Sequence, residues 1–214
     1  MKDMLTAEDA LPLARAVQAA LQAAADEITG LDAQMGDGDL GVTCRLGMAA
    51  IVEGLPALAG SSLDQIWMKS GMAFNSAGAS TYGALVATAG MQAAKYAKAE
   101  GLEQWDLAAL AAAAKGAAEG IEKRGKASRG QKTMLDALWP AAEALQAAHE
   151  AGASLAEAFA RAARAAEEGM LSTTPLKASY GRAAWLQDQT IGVQDPGATV
   201  VTVVFKAVAE YVGG

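Results

Sequence analysis

The stretch Asp32-Ala-Gln-Met-Gly-Asp37-Gly-Asp39-Leu-Gly41 contains three carboxylates within eight positions, and three glycines. Glycines at this density interrupt a helix or a strand, so the stretch is predicted to be a loop between regular elements. Aspartates on one loop can converge on a hard cation, which prefers oxygen ligands. A solvated acidic turn would suit a lone Asp-Gly pair better than this D-x-x-x-x-D-x-D spacing. The sequence therefore predicts a metal-binding loop.

Spacing and composition narrow the kind of metal. In an EF-hand calcium loop starting at Asp37, the glycine position would fall on Val42 and the closing glutamate position on Met48. Zinc is disfavoured because the chain has one cysteine, Cys44, and one histidine, His149. Magnesium or manganese remains, and such ions usually share their coordination shell with substrate phosphates. Because the three carboxylates are all negative, a pair of divalent ions would leave a positive site for a nucleotide.

The composition of the whole chain favours a soluble helical protein. Its 214 residues are 52% hydrophobic but 5% aromatic, which indicates an alanine-rich interior of closely packed helices. This size suits a single domain spanning 1–214. The net charge of −7 argues against nucleic acid as a partner, because phosphate contacts need a basic surface. A single cysteine, no signal-peptide pattern and no long apolar run lead us to expect a cytoplasmic protein that does not enter the membrane.

Helix signals follow one another along the chain. Capping signals predict four helix starts, at Thr6, Ser62, Asp106 and Ser154. The first helix is predicted to end at Gly30. Further helices are expected at 43–53, 81–99, 107–124, 132–150 and 176–186. Pro140 should kink its helix or mark a 3₁₀ turn, because proline lacks the backbone donor that a helix interior needs.

The segment Thr199–Phe205 decides between an all-α and a mixed fold. It is rich in β-branched residues and could form a strand. A single strand would have no pairing partner, so we predict a buried final helix. The fold class predicted from the sequence is therefore all-α.

Four predicted loops interrupt the helices: Asp32–Gly41, Asn75–Gly83, Gly125–Lys132 and Gln187–Ala198. In an antiparallel bundle, alternate connections lie at the same end, so these loops can meet. Ser80 and Thr81 precede a predicted helix, where they could bind phosphate or act as ordinary helix caps. The Gln194–Ala198 segment has the chemistry of a tight turn that leads into a helix.

The third loop has the glycine spacing of a P-loop, between Gly125 and Gly130. Lys132 comes one position too late, however, and a helical stretch rather than a strand precedes the loop, so we reject a P-loop. Two interpretations of Lys126, Arg129 and Lys132 stay open. They face phosphate, or they neutralise a helix end.

Taken together, the four loops resemble the L-subunit (nucleotide-binding) family of dihydroxyacetone kinases. Three ordered motifs carry the resemblance over nearly the whole chain: Gly-Asp-Gly-Asp at 36–39, Gly-Gln-Lys-Thr-Met-Leu-Asp at 130–136, and Gly-Arg-Ala at 181–183 followed by Ile-Gly-Val-Gln-Asp-Pro-Gly-Ala at 191–198. The resemblance implies a closed, barrel-like bundle of about eight antiparallel helices, with the nucleotide site on loops at one end.

The resemblance also implies the site residues. Asp32, Asp37 and Asp39 would hold two Mg²⁺ ions, which in turn bind the phosphates of ADP or ATP. The other implied nucleotide-binding residues are Thr43, Ser80, Thr81, Gly130, Thr133, Met134, Leu135, Arg182, Asp195 and Gly197. Within this set, residues 133–135 would line the base pocket, 195 and 197 would close it, and Arg182 would lie near phosphate.

Three departures from the family pattern bear on this assignment. Leu40 stands where the family often has histidine, and Gln131 stands where aspartate is common. The Ser80–Gly83 segment does not match the usual Gly-Ser-Ser-Gly-Pro run. These differences suit a subfamily acting on another keto-sugar, or one that uses ATP directly.

The activity implied by the resemblance is that of a kinase subunit. It would present Mg-nucleotide to a separate K-type subunit that holds dihydroxyacetone or a related keto-sugar, with no catalytic residue of its own beyond the metal–nucleotide site. Two phosphate donors stay open: bound ADP rephosphorylated by a phosphotransferase-system phosphocarrier subunit, or exchangeable ATP, which Leu40 slightly favours. The alternative function is an ADP-binding regulatory module without turnover.

Overall fold

The computed structural model describes residues 2–214. Over this range the regular structure is helical, and the one strand-like pairing is an isolated antiparallel bridge between Leu5 and Trp105. The all-α prediction is confirmed, including the segment Thr199–Phe205, which lies inside the last helix.

The α-helices are α1 (Ala10–Ala23), α2 (Ala25–Met35), α3 (Leu40–Gly54), α4 (Leu63–Ala77), α5 (Thr81–Glu100), α6 (Leu107–Gly125), α7 (Leu135–Glu150), α8 (Leu155–Ser172) and α9 (Pro196–Gly213). Three 3₁₀ segments accompany them, at Ala7–Asp9, Leu55–Leu58 and Arg182–Thr190.

Consecutive helices are neighbours in space. From α3 to α9, each helix packs against the next one in the sequence. The series closes because α9 contacts α1 and α2, while α1 and α2 both contact α3. Alanine is frequent at the contacts and glycine replaces it at the closest ones, such as Gly90, where a Cβ would lie 2.9 Å from the carbonyl oxygen of Trp67. Such small side chains let helices approach closely.

The two ends of the chain meet at Asp9. Its carboxylate accepts hydrogen bonds from the hydroxyl of Tyr211, on α9, at 2.7 Å and from the ammonium of Lys2 at 2.6 Å. Burial alone would raise the pKa of Asp9, but the hydrogen bonds from Lys2, Thr6 and Tyr211 outweigh it and lower the pKa to about 2. This contact ties the start of the chain to the last helix.

Most predicted helix starts are correct. Asp106 and Ser154 cap α6 and α8 through their side chains, and the capping box of Ser154 is complete. The box at Thr6 is also formed, although it opens a 3₁₀ turn ahead of α1. Ser62 precedes α4 without capping it, because its hydroxyl donates to the side chain of Asp64 instead.

The predicted end of the first helix at Gly30 is wrong. The break comes at Ala24, whose φ of −90° and ψ of 1° lie outside the helical region, and α2 then runs through Gly30 to Met35. A glycine inside a helix costs about 1 kcal/mol relative to alanine. The burial of Ile28 and Met35 on α2 offsets such a cost, so packing overrides the local signal.

The predicted helix at 176–186 is also wrong. The chain is irregular up to Gly181, and Arg182–Thr190 is a 3₁₀ segment that is kinked at Gln187, where φ is 52°. A hydrogen bond of 2.9 Å from the amide of Ala178 to the hydroxyl of Thr190 ties the two ends of this region together. The left-handed backbone at Gly181 and Gln187 prevents a continuous α-helix.

Helix α7 stays one α-helix through Pro140 rather than forming a 3₁₀ turn there. The kink remains a prediction. Because Pro140 has no backbone donor, the carbonyl of Asp136 lacks its partner within the helix. Gly169, on α8, packs against this carbonyl so closely that any side chain would clash with it.

The sequence led us to expect no membrane-spanning stretch, yet Leu40–Leu58 could cross a bilayer by length and composition alone. It comprises α3 and the following 3₁₀ turn, and α3 packs against α1, α2 and α4. Core helices of folded bundles meet the same criterion. We therefore describe this stretch as a helix of the bundle.

Candidate metal and nucleotide site

The four connections that were predicted to meet do lie together, at what we call the site end of the bundle. They are shorter or shifted relative to the predicted loops and run over 36–39, 78–80, 126–134 and 173–195. Arg182 forms an ion pair with Asp37, which joins the last connection to the first. A Cβ on Gly78 would lie 2.8 Å from the carbonyl oxygen of Thr43, which joins the second connection to α3.

The three predicted metal ligands form one cluster, which we call the acidic cluster. Asp32 lies in the last turn of α2, Asp37 in the connection, and Asp39 at the N-cap of α3. One carboxylate oxygen from each lies within 4.8 Å of the others. Because Asp32 lies on a helix, the prediction of a loop from Asp32 to Gly41 is corrected to the short turn at 36–39.

Backbone contacts fix the orientation of Asp32. The amide of Leu40 donates to Asp32 Oδ2 at 3.0 Å, and a Cβ on Gly36 would lie 2.9 Å from Asp32 Oδ1. The Leu40 side chain is buried in a hydrophobic cluster with Cys44 and Met48. The family departure at Leu40 therefore adds a core contact, while the backbone of the same residue orients a carboxylate.

The donor chemistry of the acidic cluster suits a hard divalent cation. All three side chains offer oxygen, and Asp37 and Asp39 are exposed, so a bound ion could share its shell with water or phosphate. Cys44 is not a competing ligand. Burial, together with the negative Asp32, raises the pKa of its thiol to about 12, so it stays protonated.

At the start of α5, the hydroxyl of Ser80 caps the helix. Ser80 Oγ accepts the amide of Gly83 at 3.0 Å, as in an ordinary helix N-cap. Thr81, the first residue of α5, is exposed. Thr43 is buried under the acidic cluster, and its amide donates to the carbonyl of Asp39 at 2.9 Å.

The connection between α6 and α7 is organised by Asp136, which the sequence analysis did not select. Its carboxylate accepts the amides of Gly130 and Thr133, the latter at 2.7 Å. Thr133 and Asp136 are three residues apart at a helix start, a spacing typical of a capping box that could have identified them. Met134 lies beside Gly197, where a Cβ would be 3.3 Å from Met134 Cβ.

Leu135 does not share this position. It is 1% exposed and belongs to the main hydrophobic core, as does Met134 at 8% exposed. Gly130 is exposed and has a φ of 87°, which is in the left-handed region. Gln131 stays within its own loop, where its side chain accepts the amide of Ser128 at 2.7 Å.

Of the two interpretations of Lys132, the structure favours neutralisation of a helix end, because its ammonium bonds the carbonyl of Thr173, the C-cap of α8. Its side chain is 2% exposed, and its ammonium donates to the carbonyl of Thr173 at 2.7 Å and to that of Val193. It therefore joins the α6–α7 connection to the α8–α9 connection. Lys126 and Arg129 are exposed, as either interpretation requires, and Arg129 pairs with Glu143 at 3.0 Å.

Asp195 caps α9, with its carboxylate accepting the amide of Ala198 at 2.7 Å. Its own amide donates to the hydroxyl of Thr173 at 2.8 Å. Burial raises the pKa of Asp195 to about 7, against the lowering effect of the Ala198 hydrogen bond and of Lys132. The buried Asp195 side chain therefore stabilises the turn at 195–197 from the protein interior.

The family model for the DAK2 domain matches residues 34–210. The ADP-binding subunit DhaL of the PEP-dependent dihydroxyacetone kinase of Escherichia coli (strain K12) is 35% identical over 182 residues, which cover 85% of this chain and 86% of that subunit. The triokinase/FMN cyclase of Rattus norvegicus is 33% identical over 190 residues, covering 86% of this chain and 32% of that enzyme. The crystal structure of the dihydroxyacetone kinase from C. freundii in complex with AMP-PNP and Mg²⁺ matches with a TM-score of 0.72 and 25% identity, covering 94% of this chain and 33% of that one.

The helical fold is thus similar to that of the C. freundii dihydroxyacetone kinase. The chain belongs to the DAK2 domain family and, within it, to the L-subunit type of dihydroxyacetone kinase, which it matches over most of both lengths. It spans about a third of the rat and C. freundii enzymes.

Proposed function

We propose that this chain is the Mg-nucleotide-binding, phosphoryl-transfer subunit of a two-component kinase for dihydroxyacetone or a related keto-sugar. The observation that carries the proposal is the convergence of Asp32, Asp37 and Asp39 within 4.8 Å at the site end of a DAK2-family bundle. The match to an ADP-binding subunit along most of its length supports a nucleotide as the ligand.

In this proposal the acidic cluster holds two Mg²⁺ ions, whose charge offsets that of the phosphates and of the transferred group. The Leu40 amide keeps Asp32 in the orientation that ligation needs. Arg182, which is paired with Asp37, is close enough to contact a phosphate held at the cluster. Thr43, next to the cluster on α3, and Ser80 and Thr81, at the start of α5, would add contacts to the phosphates.

The nucleoside part of the nucleotide would lie between two connections at the site end. Thr133 and Met134 would line the base pocket, and Gly197, which lies against Met134, would close it. Two hydrogen bonds shape these turns: the amide of Gly130 donates to the carboxylate of Asp136, and the carboxylate of Asp195 accepts the amide of Ala198. Leu135 would support the pocket from the core rather than line it.

The ketone would be held by a separate K-type subunit. Helix α7 begins at the site end of the bundle. His149, the one histidine of the chain, lies in the last turn of this helix and therefore at the opposite end. It is therefore poorly placed to hold a substrate near the acidic cluster. The phosphate would come from ATP, or from a phosphocarrier subunit that rephosphorylates bound ADP; the E. coli relative is PEP-dependent.

The test is calorimetric titration of ADP and ATP with and without Mg²⁺, on the wild type, Asp37→Asn and Asp64→Asn. Loss of a carboxylate ligand should weaken Mg-ADP binding about tenfold or more. Asp64→Asn, at the start of α4 on the far side of the bundle, is the matched control and should bind normally. Equal affinities for Mg-ADP in the wild type and Asp37→Asn would contradict the proposal.

A second assay separates the kinase from the regulatory alternative. The chain is mixed with a K-type subunit, a ketone and Mg-ATP, and phosphate transfer to the ketone is measured. Transfer supports the kinase. Mg-ADP binding without transfer, by any donor tried, would instead support an ADP-binding regulatory module.

A further inference from the structure

Lys132 is the largest of the side chains that are almost fully buried, and it carries a charge. Its ammonium donates to the carbonyls of Thr173 and Val193, which lie 41 and 61 residues further along the chain. The residue also adopts a left-handed backbone conformation, with a φ of 59°. A buried ammonium and a left-handed non-glycine residue are both unfavourable on their own.

The surroundings compensate the charge of Lys132. Asp136 and Asp195 lie near it and favour its protonated form, against the burial that lowers its pKa. Thr173 takes part twice, because its carbonyl accepts from Lys132 and its hydroxyl accepts from the amide of Asp195 at 2.8 Å. Replacing Lys132 alone by an apolar residue would leave these two carbonyls and two carboxylates without their cation, so the lysine holds the network together.

The position of Lys132 also indicates that it sets the distance between two turns. Lys132 directly precedes Thr133, and Val193 is two residues before Asp195. The lysine therefore joins the bases of the two turns, 133–134 and 195–197, whose tips meet at Met134 and Gly197. A change in the length or charge of this side chain would shift one of these turns relative to the other.

We propose that Lys132 is a positioning residue, which fixes the spacing between the 133–134 and 195–197 turns and so sets the affinity for the nucleoside part of the nucleotide. The inference rests on the proposed function, in which these turns hold the base. It assigns no role to Lys132 in binding the phosphates, because the acidic cluster is built from α2, α3 and their connection.

The experiment compares two ligands in the presence of Mg²⁺: ADP, which would use both regions, and pyrophosphate, which would use the acidic cluster alone. Lys132→Met keeps much of the side-chain volume but removes the charge and its hydrogen bonds. Binding of Mg-ADP should weaken about tenfold or more, the equivalent of one buried hydrogen-bonded charge, while binding of Mg-pyrophosphate should change less than about twofold. Lys98→Met, on the exposed last turn of α5, is the control and should change neither.

A second pair of variants keeps the test independent of whether Lys132→Met folds. Thr173→Val removes the hydroxyl that accepts the Asp195 amide but keeps the carbonyl that Lys132 binds, whereas Thr173→Ser keeps both. The valine variant should show the same selective loss of Mg-ADP affinity, and the serine variant should retain the wild-type affinity. Thermal melting establishes the folded fraction of each variant before titration.

The outcomes distinguish the two proposals. If the wild type binds neither ligand with Mg²⁺, the proposed function fails. If the wild type binds both, and Lys132→Met or Thr173→Val loses both affinities equally or neither, the function stands and the positioning role is overturned.

Discussion

The acidic cluster and the buried network around Lys132 are the two halves of the proposed site, but they are built in opposite ways. The acidic cluster is open to solvent, with Asp37 43% exposed and its partner Arg182 69% exposed. The Lys132 network is buried, and its polar groups are paired with one another. An exposed charge cluster is free to exchange its partners, whereas a buried network fixes distances. In the proposed function, the acidic cluster would bind the ions and the Lys132 network would fix the shape of the nucleotide pocket.

The largest expected effect concerns pH and the buried region. The pKa of Asp195 is about 7 in the folded protein, against 3.8 when unperturbed. Between about pH 4 and 7, the Asp195 carboxyl is protonated in the folded state but ionised in the unfolded state. The free energy of unfolding therefore falls as pH rises from about 4 to 7. The contribution is on the order of 4 kcal/mol. Denaturant melts across this range should show the decline in the wild type and a flatter curve in Asp195→Asn, which keeps an acceptor for the α9 cap. Parallel curves would contradict the assignment.

The second effect also belongs to the buried network. Asp136→Ala removes the acceptor for the amides of Gly130 and Thr133 and leaves Lys132 with one nearby carboxylate. The free energy of unfolding should fall by about 3 kcal/mol, since two part-buried donors and the buried Lys132 charge lose compensation. Chemical denaturation measures this. The exposed Glu143→Ala, which removes the surface pair of Arg129, is the control and should change stability by less than about 0.5 kcal/mol.

The smallest effect on stability is expected in the acidic cluster. Asp39→Asn removes one of three like charges, and the Asp39 side chain makes no capping hydrogen bond that would be lost, so the free energy of unfolding without Mg²⁺ should change by about 0.5 kcal/mol or less. The same variant should lose the rise in melting temperature that Mg-ADP gives the wild type. If Mg-ADP stabilised both proteins equally, Asp39 would not be a ligand and the contrast between the two regions would weaken.

The sequence predicted the acidic cluster well because its members are close together along the chain. Asp32, Asp37 and Asp39 span eight positions, so their convergence needs only a helix end and a turn. Caps such as Asp106 and Ser154 are equally local and were predicted correctly. The boundary at Gly30 failed because packing against neighbouring helices, which a local pattern does not contain, carried α2 through the glycine.

The role of Lys132 could not be predicted in this way. Its partners Thr173 and Val193 are far away in the sequence, and nothing near Lys132 marks it as buried. The segment at 176–186 failed for a related reason, since its conformation depends on the distant pairing of Ala178 with Thr190. Basic residues beside a glycine-rich loop suggested a surface role, and only the tertiary structure separates Lys132 from Lys126 and Arg129.

The closure of the bundle by α9 has a consequence for synthesis. The acidic cluster lies at 32–39, whereas the turn at 195–197 and the helix that meets Asp9 through Tyr211 come much later in the sequence. A nascent chain that stops before α9 has neither its final wall nor the second half of the proposed pocket. A chain still being synthesised would therefore have both halves of the proposed pocket only after α9 has been made.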